Sequence, residues 1–344
     1  MGLPRGGSID KLKCSIYFTK LGGTRIKTIS FIKSTKNSEK RRAIIPEDLV
    51  NIRNKSFVYI ESGYGDVLGY SDFDYENTGV NITTKENALK KDIICDPKIG
   101  DANYLNDLKK QMIFGYVHAV QNKNVTDTII DNELSAIAWE DMNEEGRHIF
   151  WRNNELAGEA AVIHSFSLFG KFPYECNVAI LGRGNTGRGA YRILASLGAN
   201  IKVYDKRSEA LLRKEISEFD VIVNCVLWDT SRKDHIIYKS NLKNMKRNSM
   251  IIDVSCDKNG GIESSIPTSF EDPIYYKEDI IHYAVDNTPS IAFKSVSKIF
   301  SNEVIKYIDL LLEDRIEDNK TLKDALIIEN GTIIDKRISE FQNR

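Results

Sequence analysis

The chain has 344 residues, 41% hydrophobic and 28% charged, and its 48 Lys and Arg are balanced by 49 Asp and Glu for a formal net charge of -1. At about 100–200 residues per domain this length points to two domains with ample core, and the near-neutral balance removes the electrostatic reason for a nucleic-acid or anionic-membrane partner. No apolar run approaches the roughly 20 residues of a membrane helix, and Met1–Leu12 lacks the apolar core of a secretory signal, so a cytoplasmic location is expected.

Residues 1–25, with Gly6-Gly7 and Gly22-Gly23, precede the first clear strand and read as an appendage. Short β-branched runs then alternate with longer mixed segments, the pattern of parallel sheets covered by helices. The first series of predicted strands is Thr28–Lys33, Phe57–Glu61, Asp92–Cys95, Met112–Val117 and Ser135–Trp139. Helices are expected at Glu47–Asn54, with Pro46 at the first turn, and at Lys85–Lys91, Tyr104–Lys110 and Thr126–Leu134. After the turn-like Asn153-Asn154, Glu155–Phe169 has helical spacing and reads as a connector. A second series of strands follows at Asn177–Leu181, Ile201–Asp205, Val221–Val226, Met250–Val254 and His282–Val285. A last long helix, Ser295–Leu312, is expected to pack back on the first unit, and Glu329-Asn330-Gly331-Thr332 marks a small hairpin. The fold class expected is α/β, two Rossmann-like doubly wound parallel-sheet domains with the active-site cleft between them.

The five cysteines, Cys14, Cys95, Cys176, Cys225 and Cys256, show neither C-x-x-C nor metal-ligand spacing. Cys95, Cys225 and Cys256 adjoin apolar runs and read as buried, inert thiols.

The strongest local signal is Gly182-x-Gly184-x-x-Gly187, directly after the strand Asn177–Leu181 and opening a helix expected over Asn185–Leu197. Gly182 permits the tight turn, Gly184 lets backbone approach a pyrophosphate, and Gly187 allows close helix packing, with Asn185 and Thr186 completing the turn. The following strand ends in Asp205, placed to take ribose hydroxyls as in an NAD site. A 2′-phosphate about 4 Å from that carboxylate would meet repulsion of about 4 kcal/mol per charge pair. Lys206 and Arg207 follow at once and could face such a phosphate, so NAD and NADP both stay open. Residues 155–294 are therefore expected to be an NAD(P)-binding Rossmann domain, and residues 1–154 with 295–344 the catalytic, substrate-binding domain.

Ligands of open parallel sheets bind beyond the carboxyl ends of the strands. Four polar residues follow predicted strands: Arg41, Lys98, His118 and Asp257. A guanidinium fixes a carboxylate through paired hydrogen bonds, Lys98 adds a second cation for a 2-oxo acid, and His118 titrates where it can exchange a proton. Asp257 could orient the imidazole or receive a substrate ammonium. Each has a plainer reading: a solvated surface cation for Arg41 or Lys98, a hydrogen-bonded core histidine for His118, a turn residue for Asp257 beside Gly260-Gly261.

Five segments, Lys33–Pro46, Cys95–Asp101, Phe114–His118, Ile252–Asp257 and Asp286–Ser290, resemble the alanine dehydrogenase and transhydrogenase family. Asp272–Tyr276, Asn287–Ile291 and Cys95–Asp101 are more similar to its N(5)-(carboxyethyl)ornithine synthase branch. The resemblance spans about Thr28 to Leu312. It implies a substrate-binding arginine and lysine at Arg41 and Lys98, and a catalytic histidine and aspartate at His118 and Asp257. It further implies reductive condensation of pyruvate with the side-chain amine of ornithine or lysine, using NADPH, in a homo-oligomer. The nicotinamide would then be met by loops that include Val226, Leu227 and Asn287. The alternatives are alanine dehydrogenase activity, with ammonia as the amine, and a dinucleotide-binding sensor without chemistry.

Overall fold

Apolar, β-branched runs bounded by polar turns form the strands of the computed structural model, which describes residues 25–229, 232–256 and 260–344. In chain order they begin with β1 (Ile29–Phe31), β2 (Val58–Glu61), β3 (Asn81–Thr83), β4 (Ile93–Cys95), β5 (Met112–Gly115) and β6 (Ser135–Ala138). A small hairpin follows, β7 (Asn143–Glu144) and β8 (Arg147–His148). The second series is β9 (Asn177–Leu181), β10 (Asn200–Tyr204), β11 (Val221–Asn224), β12 (Met250–Asp253), β13 (Ile274–Lys277) and β14 (Ile280–Tyr283). A last pair, β15 (Leu326–Glu329) and β16 (Thr332–Ile333), flanks the Asn330-Gly331 turn. The expected appendage, apart from Arg25, lies outside the described residues, as do Cys14 and Asp257.

Two sheets result, in the orders β16-β15-β6-β5-β4-β1-β2-β3 and β10-β9-β11-β12-β14-β13. Strands β1 to β6 pair in parallel, as do β9 to β12 and β14, whereas β13, β15 and β16 add antiparallel edges to the parallel sheets that the sequence predicts. Strand order reverses beside β1 in the first sheet and beside β9 in the second. A crevice opens at such a switch point, beyond the carboxyl ends of the strands. One crevice therefore receives the chain leaving Phe31 and Cys95, the other the chain leaving Leu181 and Asn224. Side chains on the two faces enter separate cores, Phe31 and Phe114 on one side and Ile94 and Ile113 on the other. That two-sided burial is why the central strands read as unbroken apolar runs.

Long helices tie the units together. The return helix, Phe293–Leu312, buries Val296, Phe300, Val304, Ile308 and Leu311 at helical spacing in the core that holds Ile29 and Phe31. Its Ser297 and Ser301 hydroxyls accept the amides of Arg42 at 2.8 Å and Ile45 at 3.0 Å, which fastens the loop after β1. The linker helix, Trp151–Phe169, lies against the nucleotide helix, Asn185–Ser196. Its first turn contains Asn153 and Asn154, which the sequence reading placed in a turn.

Other boundaries moved for identifiable reasons. The helix expected over Glu47–Asn54 stops at Leu49, because Asp309 of the return helix takes the Arg53 and Asn54 amides. Tyr104–Lys110 forms a single tight turn, Leu105–Asp107; Tyr104 is committed to Asp96 and Lys110 has a left-handed φ of 67°. Cys95 and Cys225 are buried as expected, whereas Cys256 is half-buried, its thiol donating to the Asp253 and Ala284 carbonyls. Among the described residues, no helix is long and apolar enough to cross a membrane.

The crossing of linker and nucleotide helices depends on glycines. A Cβ on Gly158 would lie 2.1 Å from the Thr186 carbonyl oxygen, and one on Gly189 would lie 1.9 Å from that of Glu155. Gly→Ala inside a helix ordinarily stabilises by up to about 1 kcal/mol. Here the sign reverses: Gly158→Ala is expected to destabilise by about 1–3 kcal/mol through backbone displacement, read as a lower urea midpoint at unchanged slope.

Candidate active site

The loop leaving β1 carries Glu39 and Arg41, both buried, with Arg41 only 2% exposed. Arg41 Nε and Nη2 donate to the two Glu39 oxygens at 2.9 and 2.6 Å, and Nη1 donates to Asn153 Oδ1 at 3.1 Å. Nη2 also donates to Asn287 Oδ1, and Asn287 Nδ2 donates to Glu39 at 2.7 Å. The guanidinium lies 5.4 Å from the centre of the Phe300 ring. Four of its five N–H bonds are thereby used, and one Nη1 hydrogen has no partner among the described residues. Burial opposes the Glu39 charge, yet Arg41, by charge and hydrogen bonds, and Asn287 bring its pKa down to about 2.

Lys98 follows β4 and is nearly buried, its Nζ 3.8 Å from Asp101. Burial, then the neighbouring Lys36 and Arg41 cations, lowers its pKa, against the opposing pull of Asp286 and Asp101. Asp96 braces this turn by accepting the Lys98 amide at 2.8 Å and the Tyr104 hydroxyl at 2.7 Å. His118 follows β5 with a left-handed φ of 54°. Glu140, just after β6, accepts the amides of Val117 and His118 and holds that bend. The His118 ring stacks on Tyr116, centres 5.9 Å apart, and stays exposed to water along the cleft. Protein crowding, aided by Lys98, nonetheless lowers its pKa, while Glu140, Asp101 and Asp286 pull the other way.

The second domain contributes Asp286 and Asn287 from the loop after β14. Asp286 Oδ2 is 2.5 Å from Lys36 Nζ, which also meets Asp101 at 3.0 Å. Burial raises the Asp286 pKa, but Lys98, Lys36 and His118 outweigh it and leave the carboxyl below its ordinary value. Arg41, Lys98 and His118 thus each lie within electrostatic reach of Asp286; Asp257 cannot be placed with them because it lies outside the described residues.

The turn after β9 fits a dinucleotide. Gly182 has φ +99°, and a Cβ on Gly187 would meet the Gly182 carbonyl oxygen at 2.2 Å. Among the described residues, a Cβ on Gly184 would meet nothing within 4 Å, and no side chain caps the nucleotide helix that starts there. Open backbone at a free helix N-terminus is what a pyrophosphate requires. Alongside is a cavity of about 110 Å³ lined by residues that include Gly182, Asp205, Lys206, Val226, Leu227 and Trp228. Asp205 accepts Arg207 Nη2 at 3.2 Å and lies 3.8 Å from Arg183, and these contacts lower its pKa. Asn185 accepts from Arg188 at 2.7 Å, and Thr186 is covered by Gly158. Leu227 is 95% exposed. Asn287 differs from the other expected coenzyme contacts, since its amide is spent on Arg41 and Glu39.

Sequence reasoning missed Lys36, Glu39, Asp101, Glu140, Asn153 and Asp286. Asp286 was the most accessible to it, since it directly follows a predicted strand. Asn153 and Glu140 gave no local signal, because only the packing of linker helix and β6 against the loops brings them in.

Residues 31–150 match the family described as Alanine dehydrogenase/PNT, N-terminal domain, and residues 206–336 match its companion, Alanine dehydrogenase/PNT, C-terminal domain. Residues 145–258 also match the NAD binding domain of D-isomer specific 2-hydroxyacid dehydrogenases. An N(5)-(carboxyethyl)ornithine synthase of Clostridium botulinum is 29% identical over 312 residues, 83% of this chain and 98% of that protein. Alanine dehydrogenase 1 of Staphylococcus aureus is 24% identical over 356 residues, 90% of this chain and 95% of that one. Among solved structures, an L-alanine dehydrogenase superimposes with TM-score 0.79 at 20% identity, covering 92% of this chain and 99% of its own.

The Glu39 carboxylate is worth most where it is ionised. Its pKa falls from an ordinary 4.5 to about 2 on folding, so it adds about 3 kcal/mol of stability that is complete above the unfolded value. That contribution fades as pH drops toward the folded value. Glu39→Gln is expected to lose about this much at pH 7, with the gap to wild type narrowing between about pH 4.5 and 2 in denaturant titrations.

Proposed function

The chain belongs to the alanine dehydrogenase/PNT family and is an NAD(P)-dependent oxidoreductase; on that premise we propose that it condenses pyruvate reductively with the side-chain amine of ornithine or lysine. The product is the N-(1-carboxyethyl) amino acid. The observation that carries this reading is the match with a carboxyethylornithine synthase over 98% of that protein's length.

The cleft chemistry supports it. The remaining Arg41 donor and the Lys98 ammonium would take the carboxylate and carbonyl oxygen of pyruvate, polarising the carbonyl carbon. An aliphatic ammonium has an unperturbed pKa near 10.4 and must lose a proton before attack. His118, with its lowered pKa, is neutral near pH 7 and can accept that proton. Nitrogen then bonds to the carbonyl carbon as the C=O double bond opens onto oxygen; one N–H proton shifts to that oxygen and imidazolium returns a second, so it departs as water and leaves a protonated imine. Bound reduced nicotinamide dinucleotide supplies the hydride that completes the amine. Arg41 and Lys98 keep the carboxylate fixed throughout.

NADPH is the coenzyme we assign. The Asp205 carboxylate is already paired with Arg183 and Arg207, and Lys206 adjoins it. Three cations against one carboxylate favour a 2′-phosphate over bare ribose hydroxyls.

The test follows absorbance of NADPH and of NADH with pyruvate and each of ornithine, lysine and ammonium. NADPH oxidation is expected with a diamino acid; oxidation with ammonium alone would identify alanine dehydrogenase activity and sink the synthase reading. A pH series adds a second check. The acid limb of kcat is expected below pH 6.5, the direction in which His118 is shifted, and His118→Asn should remove that limb with a loss of about 10²–10⁴ in kcat.

A further inference from the structure

A cationic amine substrate needs an anion to receive it. Lys36, Arg41 and Lys98 all act on the same space, and each repels an amine substrate, which enters as a cation. Of the carboxylates around this space among the described residues, Glu39 is consumed by Arg41 and Asn287. Glu140 is consumed by the Val117 and His118 amides, and Asp96 by the Lys98 amide and the Tyr104 hydroxyl. Asp101 and Asp286 remain, with side chains 36% and 51% exposed.

What these two acids hold is informative. Lys36 Nζ bridges them at 3.0 and 2.5 Å, and it is a primary alkylammonium at the end of a flexible chain, the same chemical group that ends ornithine or lysine. The protein's own side chain thus displays the geometry in which this acid pair receives such a group. Asp286 also feels Lys98 and His118 electrostatically, so an ammonium seated there adjoins the groups assigned to the oxo acid and the proton. Exchange of Lys36 for a substrate ammonium would leave the net charge of the pair unchanged.

Resting on the reaction assigned above, we propose that Asp286, assisted by Asp101, is the seat that captures the cationic amine substrate, and that Lys36 fills it until substrate displaces it. Asp286 comes from the coenzyme domain and Asp101 from the other, so the seat is complete only where the domains meet.

The full-length enzyme, saturated with coenzyme and pyruvate, tests this. Asp286→Asn keeps the shape and removes the charge. The KM for the diamino acid is expected to rise about tenfold or more, the scale of one lost charge contact, while the KM for pyruvate moves less than about twofold. Asp286→Glu should recover most of the loss. Where turnover is too low for kinetics, calorimetric titration of the diamino acid into coenzyme-loaded protein reads the same weakening. Wild-type enzyme that turns over no diamino acid overturns the reaction and this assignment together. Wild-type turnover with an Asp286→Asn amine KM inside twofold, or with an equal rise for pyruvate, overturns the assignment alone.

Discussion

A guanidinium taken out of water must bring its anion with it, and the Arg41–Glu39 pair is where that requirement shapes this molecule. Desolvation of two such ions is repaid only when geometry is good and remaining donors are satisfied. Here the satisfaction comes from three places at once: Glu39 on the same loop, Asn153 on the linker helix and Asn287 beyond β14. The loop after β1 is therefore docked against both domains by one buried charge. Ser297 and Ser301 of the return helix fasten its next residues. The position of the Arg41 guanidinium relative to both domains follows from these contacts.

The two switch points give this constraint its reach. Both sheets reverse strand order where their loops face ligand, so chemistry-bearing residues leave the ends of β1, β4 and β5 on one side and of β9 and β14 on the other. Within that frame the electrostatics are mutual. Lys98 is discouraged from carrying charge by burial and by Lys36 and Arg41, while Asp286 and Asp101 pull the other way.

Much of the fold was legible because the signals were local. Continuous apolar runs fix the central strands, and Gly182-x-Gly184-x-x-Gly187 after β9 dictates a turn whose steric reasons the structure repeats atom by atom. That Arg41, Lys98 and His118 follow β1, β4 and β5 was legible because a strand-end rule needs only strand boundaries. The groups it passed over are those whose role is to satisfy another group. Glu39 matters through Arg41, Glu140 through the bend at His118, and Asn153 through a helix that begins four residues before the sequence reading put it. Helix ends failed for a related reason: at Arg53 and Asn54 the backbone donors go to Asp309, far along the chain, and no local propensity encodes that.

A common logic joins the substrate cleft and the coenzyme edge. Each charged group that would meet a ligand is already paired within the protein: Arg41 with Glu39, Asp205 with Arg207, Asp286 with Lys36. At Arg41 an unpaired buried charge would be costly, and Glu39 takes two of its donors; the more exposed Asp205–Arg207 and Asp286–Lys36 pairs can part at less cost. Neutral side chains, Asn153 and Asn287, sit at the joints, where an amide satisfies a buried ion without adding a charge.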